Sequence, residues 1–227
     1  MKPAFRLTLY LTLHLSACLL RGQAINEVLY FSTLKEEGVP TVLSSIFEDH
    51  AGYLWFCAPD GLFRYDGTDV RKYKSNPQDV NSLSASWVNY MAEDPKGTFW
   101  ISTYGSGLNA FDPLAESFGH FYHDEQDSTS ISDNNPRFLE FDREGLLWIG
   151  FDGEVGLNEF DPATGKARRF PVKRGRAGQL QGRVLGNIIA DGNRIYLATT
   201  AGFEYYDKNS GLFHFVPLLD EDGDTIY

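Results

Sequence analysis

A tryptophan-centred pattern recurs along the chain and restricts the possible folds more than any other feature. It reads Asp-x-x-Gly-x-Leu/Phe-Trp, beginning at Asp49, Asp94 and Asp142, and a version one residue shorter begins at Asp191. The four anchor positions are spaced by 45, 48 and 48 residues. These repeat anchors are Trp55, Trp100, Trp148 and Tyr196. A repeat of about 40–50 residues is typical of a β-propeller blade of four strands.

A second element follows each anchor and supports the same architecture. It has the form Gly-Leu-Asn-x-Phe-Asp, or a close variant, and each copy then ends on an aromatic residue. Asp and Gly in the intervening segments are typical of tight turns, and the apolar spacing of helices is not found. The sequence therefore predicts an all-β chain, a partial or minimal propeller of four four-stranded antiparallel blades. The predicted blades cover about residues 42–75, 87–122, 136–171 and 184–216.

The first 24 residues have the layout of a secretory signal peptide. Three basic residues and no acidic residue accompany an apolar run from Leu7 to Leu20, which is shorter than a membrane span needs. Small residues in Gly22-Gln-Ala24 favour cleavage before Ile25, while Leu15-Ser-Ala-Cys18 offers a lipoprotein alternative. We expect a periplasmic protein of residues 25–227, without a transmembrane segment after cleavage.

Composition excludes several classes of function. A net charge of −11 argues against a nucleic-acid partner, because neutralising phosphates requires a basic surface. Two cysteines are too few for a disulfide scaffold or a four-cysteine zinc site. His120 and His123 would point to opposite faces of a strand, so they do not predict a shared metal. No metal site and no cofactor are expected.

Catalytic motifs are not found either. Gly105-Ser-Gly107 lacks the form of a nucleophile elbow, and no P-loop or zinc-protease motif occurs. Paired carboxylates such as Asp152 and Glu154 are common in acidic loops, and a glycosidase would need two at a set separation. We therefore expect a binding protein rather than an enzyme.

The predicted topology places the variable connections of the blades on one face. In each blade these are the link between the second and third strands and the link to the next blade. Variable loops on a rigid scaffold are where recognition usually lies. Trp87 lies outside the repeat register and is a candidate for a surface contact. The candidate ligand-binding residues on this face are Tyr104, Asp152, Glu154, Lys173, Arg174 and Arg176.

A basic cluster contributes the last three of these candidates. Seven Lys and Arg residues fall between Lys166 and Arg183 with no acid among them. Arginine pairs well with carboxylate or sulfate, so the cluster is compatible with capture of an anionic ligand. Charge protection of an edge strand is the alternative reading.

The combined motifs resemble the two-component regulator propeller repeat. The resemblance rests on the tryptophan pattern, the Gly-Leu-Asn-x-Phe-Asp segments and Asp161-Pro-Ala-Thr-Gly165, and it covers most of residues 25–215. It implies the periplasmic sensor of a bacterial hybrid two-component system, a carbohydrate-derived ligand such as an oligosaccharide, and a homodimer. It also implies kinase and DNA-binding domains, and this chain contains neither. We therefore expect a truncated sensor; the alternatives are a secreted propeller enzyme of the polysaccharide lyase or glycosidase type, or a non-functional gene fragment.

Overall fold

Sixteen strands form four separate sheets in the computed structural model, which describes residues 38–216. These residues belong to one compact unit. The predicted signal peptide and Cys18 lie outside the described residues. Within residues 38–216, no helix is long and apolar enough to span a membrane.

Each sheet has four strands, and their bounds follow the chain in order. The first sheet contains β1 (Ser45–Glu48), β2 (Leu54–Ala58), β3 (Gly61–Tyr65) and β4 (Val70–Tyr73). The second contains β5 (Val88–Glu93), β6 (Phe99–Thr103), β7 (Leu108–Asp112) and β8 (Ser117–Phe121). The third contains β9 (Pro136–Phe141), β10 (Leu147–Phe151), β11 (Leu157–Asp161) and β12 (Lys166–Phe170). The fourth contains β13 (Val184–Asp191), β14 (Arg194–Thr199), β15 (Gly202–Asp207) and β16 (Leu212–Phe215).

All four sheets share one topology. Strands pair with their neighbours in chain order, and every pair is antiparallel. The prediction of an all-β fold made of four-stranded propeller blades is confirmed. The anchor residues lie on the second strand of each sheet, and the Gly-Leu-Asn-x-Phe-Asp elements form the third.

The aspartate of the repeat ties the first turn of a blade to its tryptophan. In the third blade, Asp142 Oδ1 accepts hydrogen bonds from the backbone N–H groups of Glu144 and Leu146 at 3.1 and 3.0 Å. Its Oδ2 accepts one from the Trp148 indole at 2.8 Å. Asp49 and Asp94 repeat this arrangement in the first two blades. One short motif thus fixes both the turn and the orientation of the largest core side chain.

Tryptophans of the first three blades pack against aromatic residues of the next blade. Ring centroids are 4.8 Å apart for Trp55 and Phe99, and 5.3 Å apart for Trp100 and Phe160. Trp148 lies 5.5 Å from Tyr206 in the same way. The fourth anchor differs, because Tyr196 is only partly buried and contacts Tyr205 of its own sheet at 5.6 Å.

Links between blades have the same backbone pattern in three copies. Each link turns twice and places one buried aliphatic side chain beneath it: Leu83, Ile131 or Leu180. The asparagine of Gly-Leu-Asn holds the link, since Asn109 Oδ1 accepts from the Ser84 N–H at 2.9 Å and Asn158 Oδ1 from Ser132 at 2.8 Å. These links, interpreted from sequence as variable recognition loops, are structural elements of the fold.

Candidate functional site

Innermost strands of three successive blades contain irregularities near their first residues. The pairing of β5 with β6 skips Asn89, and that of β9 with β10 skips Arg137. The pairing of β13 with β14 skips the residues between Val184 and Ile188. A β-bulge of this kind redirects a side chain away from the regular alternation of the strand.

The redirected residues line one cleft. Asn89, Arg137 and Asn187 border a cavity of about 400 Å³ at the innermost strands. Cavities of a few hundred cubic ångströms are typical of small-molecule sites. The other residues that line this cleft are Leu43, Ser44, Trp87, Tyr90, Tyr104 and Phe138.

Two stacked aromatic rings form part of the cleft wall. The ring centroids of Trp87 and Tyr104 are 4.9 Å apart and their planes differ by 27°. The rings remain accessible, with 46% of Trp87 and 53% of Tyr104 exposed. The backbone N–H of Tyr104 donates to the Trp87 carbonyl at 2.9 Å, which holds the two residues side by side. An exposed aromatic pair on a fixed backbone is a surface suited to ligand contact.

The loop that carries Tyr104 is held by its neighbours. Ser84 Oγ donates to the Ser106 carbonyl at 2.7 Å, and the Gly107 N–H donates to the Asn134 carbonyl at 2.8 Å. Gly107 has a φ of 76°, and a Cβ at this position would lie 2.3 Å from the Phe121 carbonyl oxygen. Only glycine fits at this position without strain, so the backbone of the loop passes close to β8 there. The cleft is therefore preorganised on this side.

Arg137 brings a charge to the cleft. Its Nη1 donates to Asp152 Oδ2 at 2.7 Å, and about half of each side chain is exposed. Its guanidinium also lies 5.9 Å from the ring of Phe138. Arg137 is the one charged residue among the described residues that line this cleft. Sequence reasoning did not identify it.

The structure does not bring the six predicted ligand-binding residues together. Tyr104 lines the cleft, and Asp152 holds Arg137 beside it. Glu154 accepts a hydrogen bond from Arg174 at 2.6 Å and lies 3.8 Å from Arg183. Lys173 and Arg176 are exposed on a link that packs beside β16, since the Gly178 carbonyl accepts from the Phe213 N–H.

Much of the basic cluster is engaged within the protein. Arg169 donates to the backbone carbonyls of Asp127 and Ser130, both at 2.9 Å. Arg168 lies 3.7 Å from Glu159 and packs over the Phe170 ring at 4.7 Å. With Arg174 and Arg183 facing Glu154, four of the seven basic residues contact neighbouring elements, while Lys166, Lys173 and Arg176 are exposed.

The histidines and a further cavity lie away from this cleft. His120 Nε2 and His123 Nδ1 each lie 2.8 Å from a backbone carbonyl, of Ser82 and Ile131 respectively. A cavity of about 440 Å³ at the turns of the first three blades contains His50 and Glu93. These two side chains contact each other across the blade interface, so Glu93 is already paired.

Comparison with known proteins identifies one segment of the chain as a propeller repeat. Residues 82–105 match the model of the family described as two component regulator propeller. This segment contains both Trp87 and Tyr104. No curated protein sequence matches the chain.

Solved structures share the fold. The extracellular domain of a protein described as a hybrid two-component system of Bacteroides thetaiotaomicron has a TM-score of 0.65 and 24% identity; the match covers 79% of this chain and 26% of that one. A second extracellular domain from that organism, described as a one-component system, has a TM-score of 0.60 and 20% identity, covering 80% and 28%. A gluconolactonase of Xanthomonas campestris has a TM-score of 0.53 and 12% identity, covering 78% and 65%.

The chain spans only about a quarter of the length of the two Bacteroides domains, at 26% and 28%. At identities of 24% and below, the likeness to solved structures establishes the fold. The family model matches one repeat of this fold, at residues 82–105. The chain thus carries the two-component regulator propeller repeat, within an all-β propeller fold that it shares with extracellular domains of Bacteroides signalling proteins.

Proposed function

We propose that this chain is the ligand-sensing propeller segment of an exported sensor, and that it binds an oligosaccharide in the cleft beside Trp87 and Tyr104. The observation that carries the proposal is the exposed, stacked aromatic pair at the wall of that cleft. A sugar ring has an apolar C–H face, which packs on aromatic rings, and hydroxyl groups at its edge. Large aromatic side chains offer much contact area at a low cost in conformational entropy.

Polar groups in the cleft suit the hydroxyl groups of a sugar. The side chains of Ser44, Asn89 and Asn187 line the cleft, and together they offer both donors and acceptors. Asn89 is also anchored, since its Nδ2 donates to the Pro136 carbonyl at 3.2 Å. A few fixed polar groups among apolar ones are the usual composition of a small-molecule site.

The comparisons support a sensor located outside the cytoplasm. The solved structures that resemble the chain include extracellular domains of signalling proteins. A signal peptide at residues 1–24, a periplasmic location and a homodimer are part of the proposal. A binding role rather than catalysis is favoured because the described residues that line the cleft include no carboxylate, whereas most glycosidases need two.

Isothermal titration with a panel of neutral and acidic oligosaccharides tests this function. We expect Trp87→Ala and Tyr104→Ala each to weaken binding by about tenfold or more. Stacking of a nucleic-acid base on an aromatic side chain contributes about 1–3 kcal/mol, and we expect stacking of a sugar face to be of the same order. Phe203→Ala is the matched control, because Phe203 is an aromatic residue of similar exposure that does not line the cleft. Parental affinity in both cleft variants would refute the site, and release of shorter saccharides would indicate an enzyme instead.

A further inference from the structure

We propose that Arg137 makes the cleft selective for a saccharide that carries a carboxylate or a sulfate. This inference rests on the proposed function and specifies the chemical class of its ligand. The proposed anion-binding residue is therefore a single arginine on an innermost strand, and it does not belong to the basic cluster between Lys166 and Arg183.

The charges around the cleft favour an anionic ligand. The whole chain has a net charge of −11, yet the described residues that line this cleft include one cation and no anion. The remaining lining residues are aromatic, aliphatic, hydroxyl or amide side chains, which bring no competing charge. Asp152 pairs with this arginine from beside the cleft, so the local charge is close to neutral in an otherwise acidic protein, and Arg137 is the one described lining residue that can pair with an anion.

Arg137 is held in place with most of its hydrogen-bonding capacity unused. Its side chain is 48% exposed, and its one hydrogen bond among the described residues joins Nη1 to Asp152 at 2.7 Å. A guanidinium has five N–H donors in a rigid fork, so four remain for a ligand. Its position on the bulge of β9 fixes the backbone, and Asp152 fixes the side chain.

A carboxylate or sulfate can pair with the remaining fork in a bidentate manner. Asp152 then acts as a positioning residue, which orients the arginine and partly neutralises it while the cleft is empty. Arg174 is paired with Glu154 much as Arg137 is with Asp152, but it does not line the cleft. The preference for acidic over neutral saccharides therefore depends on Arg137, and substitution of this residue tests it.

Titration of the full chain with three matched probes tests the selectivity. The probes are trigalacturonate, a sulfated galactose trimer and neutral galactotriose, each at 20 and 300 mM NaCl. We expect the acidic probes to bind at least about tenfold more tightly than the neutral one, and to lose affinity with salt because exposed charge pairs are screened. Arg137→Gln should bring the affinity for the acidic probes down to that for the neutral probe and remove the salt dependence. Asp152→Asn should tighten acidic binding several-fold, since it removes a competing charge.

Arg174→Gln is the control and should leave all affinities unchanged. Equal binding of acidic and neutral probes, or an acidic preference that survives Arg137→Gln, would overturn the inference while leaving the proposed saccharide site intact. Binding of none of the probes would overturn the inference, and the wider panel used for Trp87→Ala then decides the proposed function separately. Circular dichroism of each variant checks that the fold is retained.

Discussion

The indole N–H of Trp148 donates to the buried carboxylate of Asp142 at 2.8 Å, and the same carboxylate accepts from Lys208 of the next blade at 2.7 Å. One side chain therefore closes a turn, orients a core tryptophan and joins two blades. Asp94 makes the turn and indole bonds in the second blade. Within residues 38–216, no lysine side chain forms an ion pair with Asp94; Lys96 donates only its backbone N–H. Comparing variants of Asp142 and Asp94 therefore isolates the contribution of the lysine contact.

Burial acts to raise the pKa of Asp142, but the hydrogen bonds from Lys208 and Trp148 outweigh it and lower the pKa below its usual value. A carboxylate with a lowered folded pKa stabilises the protein above about pH 4, and this stabilisation is lost as the pH falls further. We expect Asp142→Asn to reduce the free energy of unfolding at pH 7 by about 1.5–3 kcal/mol. Urea unfolding at pH 7 and pH 3 measures this, and the difference from the parent should shrink at pH 3.

Asp94→Asn is the matched variant and should cost less at pH 7, because Asp94 has no cationic partner among the described residues. Equal costs for the two variants would show that the contact with Lys208 contributes nothing.

Trp100→Ala should destabilise the protein by about 3–5 kcal/mol, as truncation of large buried aromatics does. Trp100 is 3% exposed and lies between Phe121 and Phe160, at 5.4 and 5.3 Å. Chemical denaturation followed by circular dichroism gives the value. Trp87→Ala is the comparison: nearly half of this tryptophan is exposed, so its truncation should destabilise the protein by well under half as much. Similar losses for both tryptophans would contradict the assignment of Trp100 to the blade interface.

Cys57 should be inert in the folded protein. The thiol is fully buried, and burial raises its pKa to about 12, against a smaller opposing effect of a hydrogen bond with Ser45. In a Cys18→Ser background, a thiol reagent at pH 8 should label Cys57 only when denaturant is added. Because a raised pKa favours the folded state only while the thiol is protonated, stability should fall as the pH rises from about 9 towards 12. Rapid labelling without denaturant would show that Cys57 is accessible.

Gly105→Ala and Gly107→Ala separate backbone strain from steric conflict. Both glycines have positive φ, at 68° and 76°, so each substitution carries a strain of about 1–2 kcal/mol. Only the Cβ at position 107 meets another atom, the Phe121 carbonyl oxygen at 2.3 Å, while position 105 is open. Thermal unfolding should therefore show a distinctly larger loss for Gly107→Ala. A larger loss at position 105 would mean that the loop follows a different path.

Processing at the N-terminus is a prediction from sequence alone. We expect the exported protein to begin at Ile25, which intact-mass spectrometry of secreted material would detect. A diacylglyceryl group on Cys18 would establish the lipoprotein alternative.

Strand order and blade identity could be predicted because their causes are local. Asp-x-x-Gly sets each first turn through hydrogen bonds that span four residues, as Asp49 shows with Tyr53. The alternation of buried and exposed side chains then follows from the pleat of a strand. The Gly-Leu-Asn segment was recognised as a strand, but the role of Asn109 in holding the link at Ser84 was not. That role needs the fold, since these residues lie 25 positions apart.

The candidate site was only partly predictable. Trp87 and Tyr104 were noted for separate reasons, and antiparallel pairing of β5 with β6 brings them into contact. Ligand capture by the basic cluster stays a prediction, and sequence alone does not show that Arg174 faces Glu154 or that Arg169 donates to carbonyl groups.

By itself, the sequence determined the four blades, their tight turns and the three tryptophans that pack between blades. The tertiary structure alone decided which side chains face the cleft. Arg137 and Asn89 lie there because their strands bulge, and a bulge arises from a mismatch in length between two paired strands. The mismatch is a property of the strand pair, so it cannot be read from the sequence of either strand alone. Charge pairing has the same origin, since Asp152 and Arg137 are neighbours only once β9 and β10 are paired.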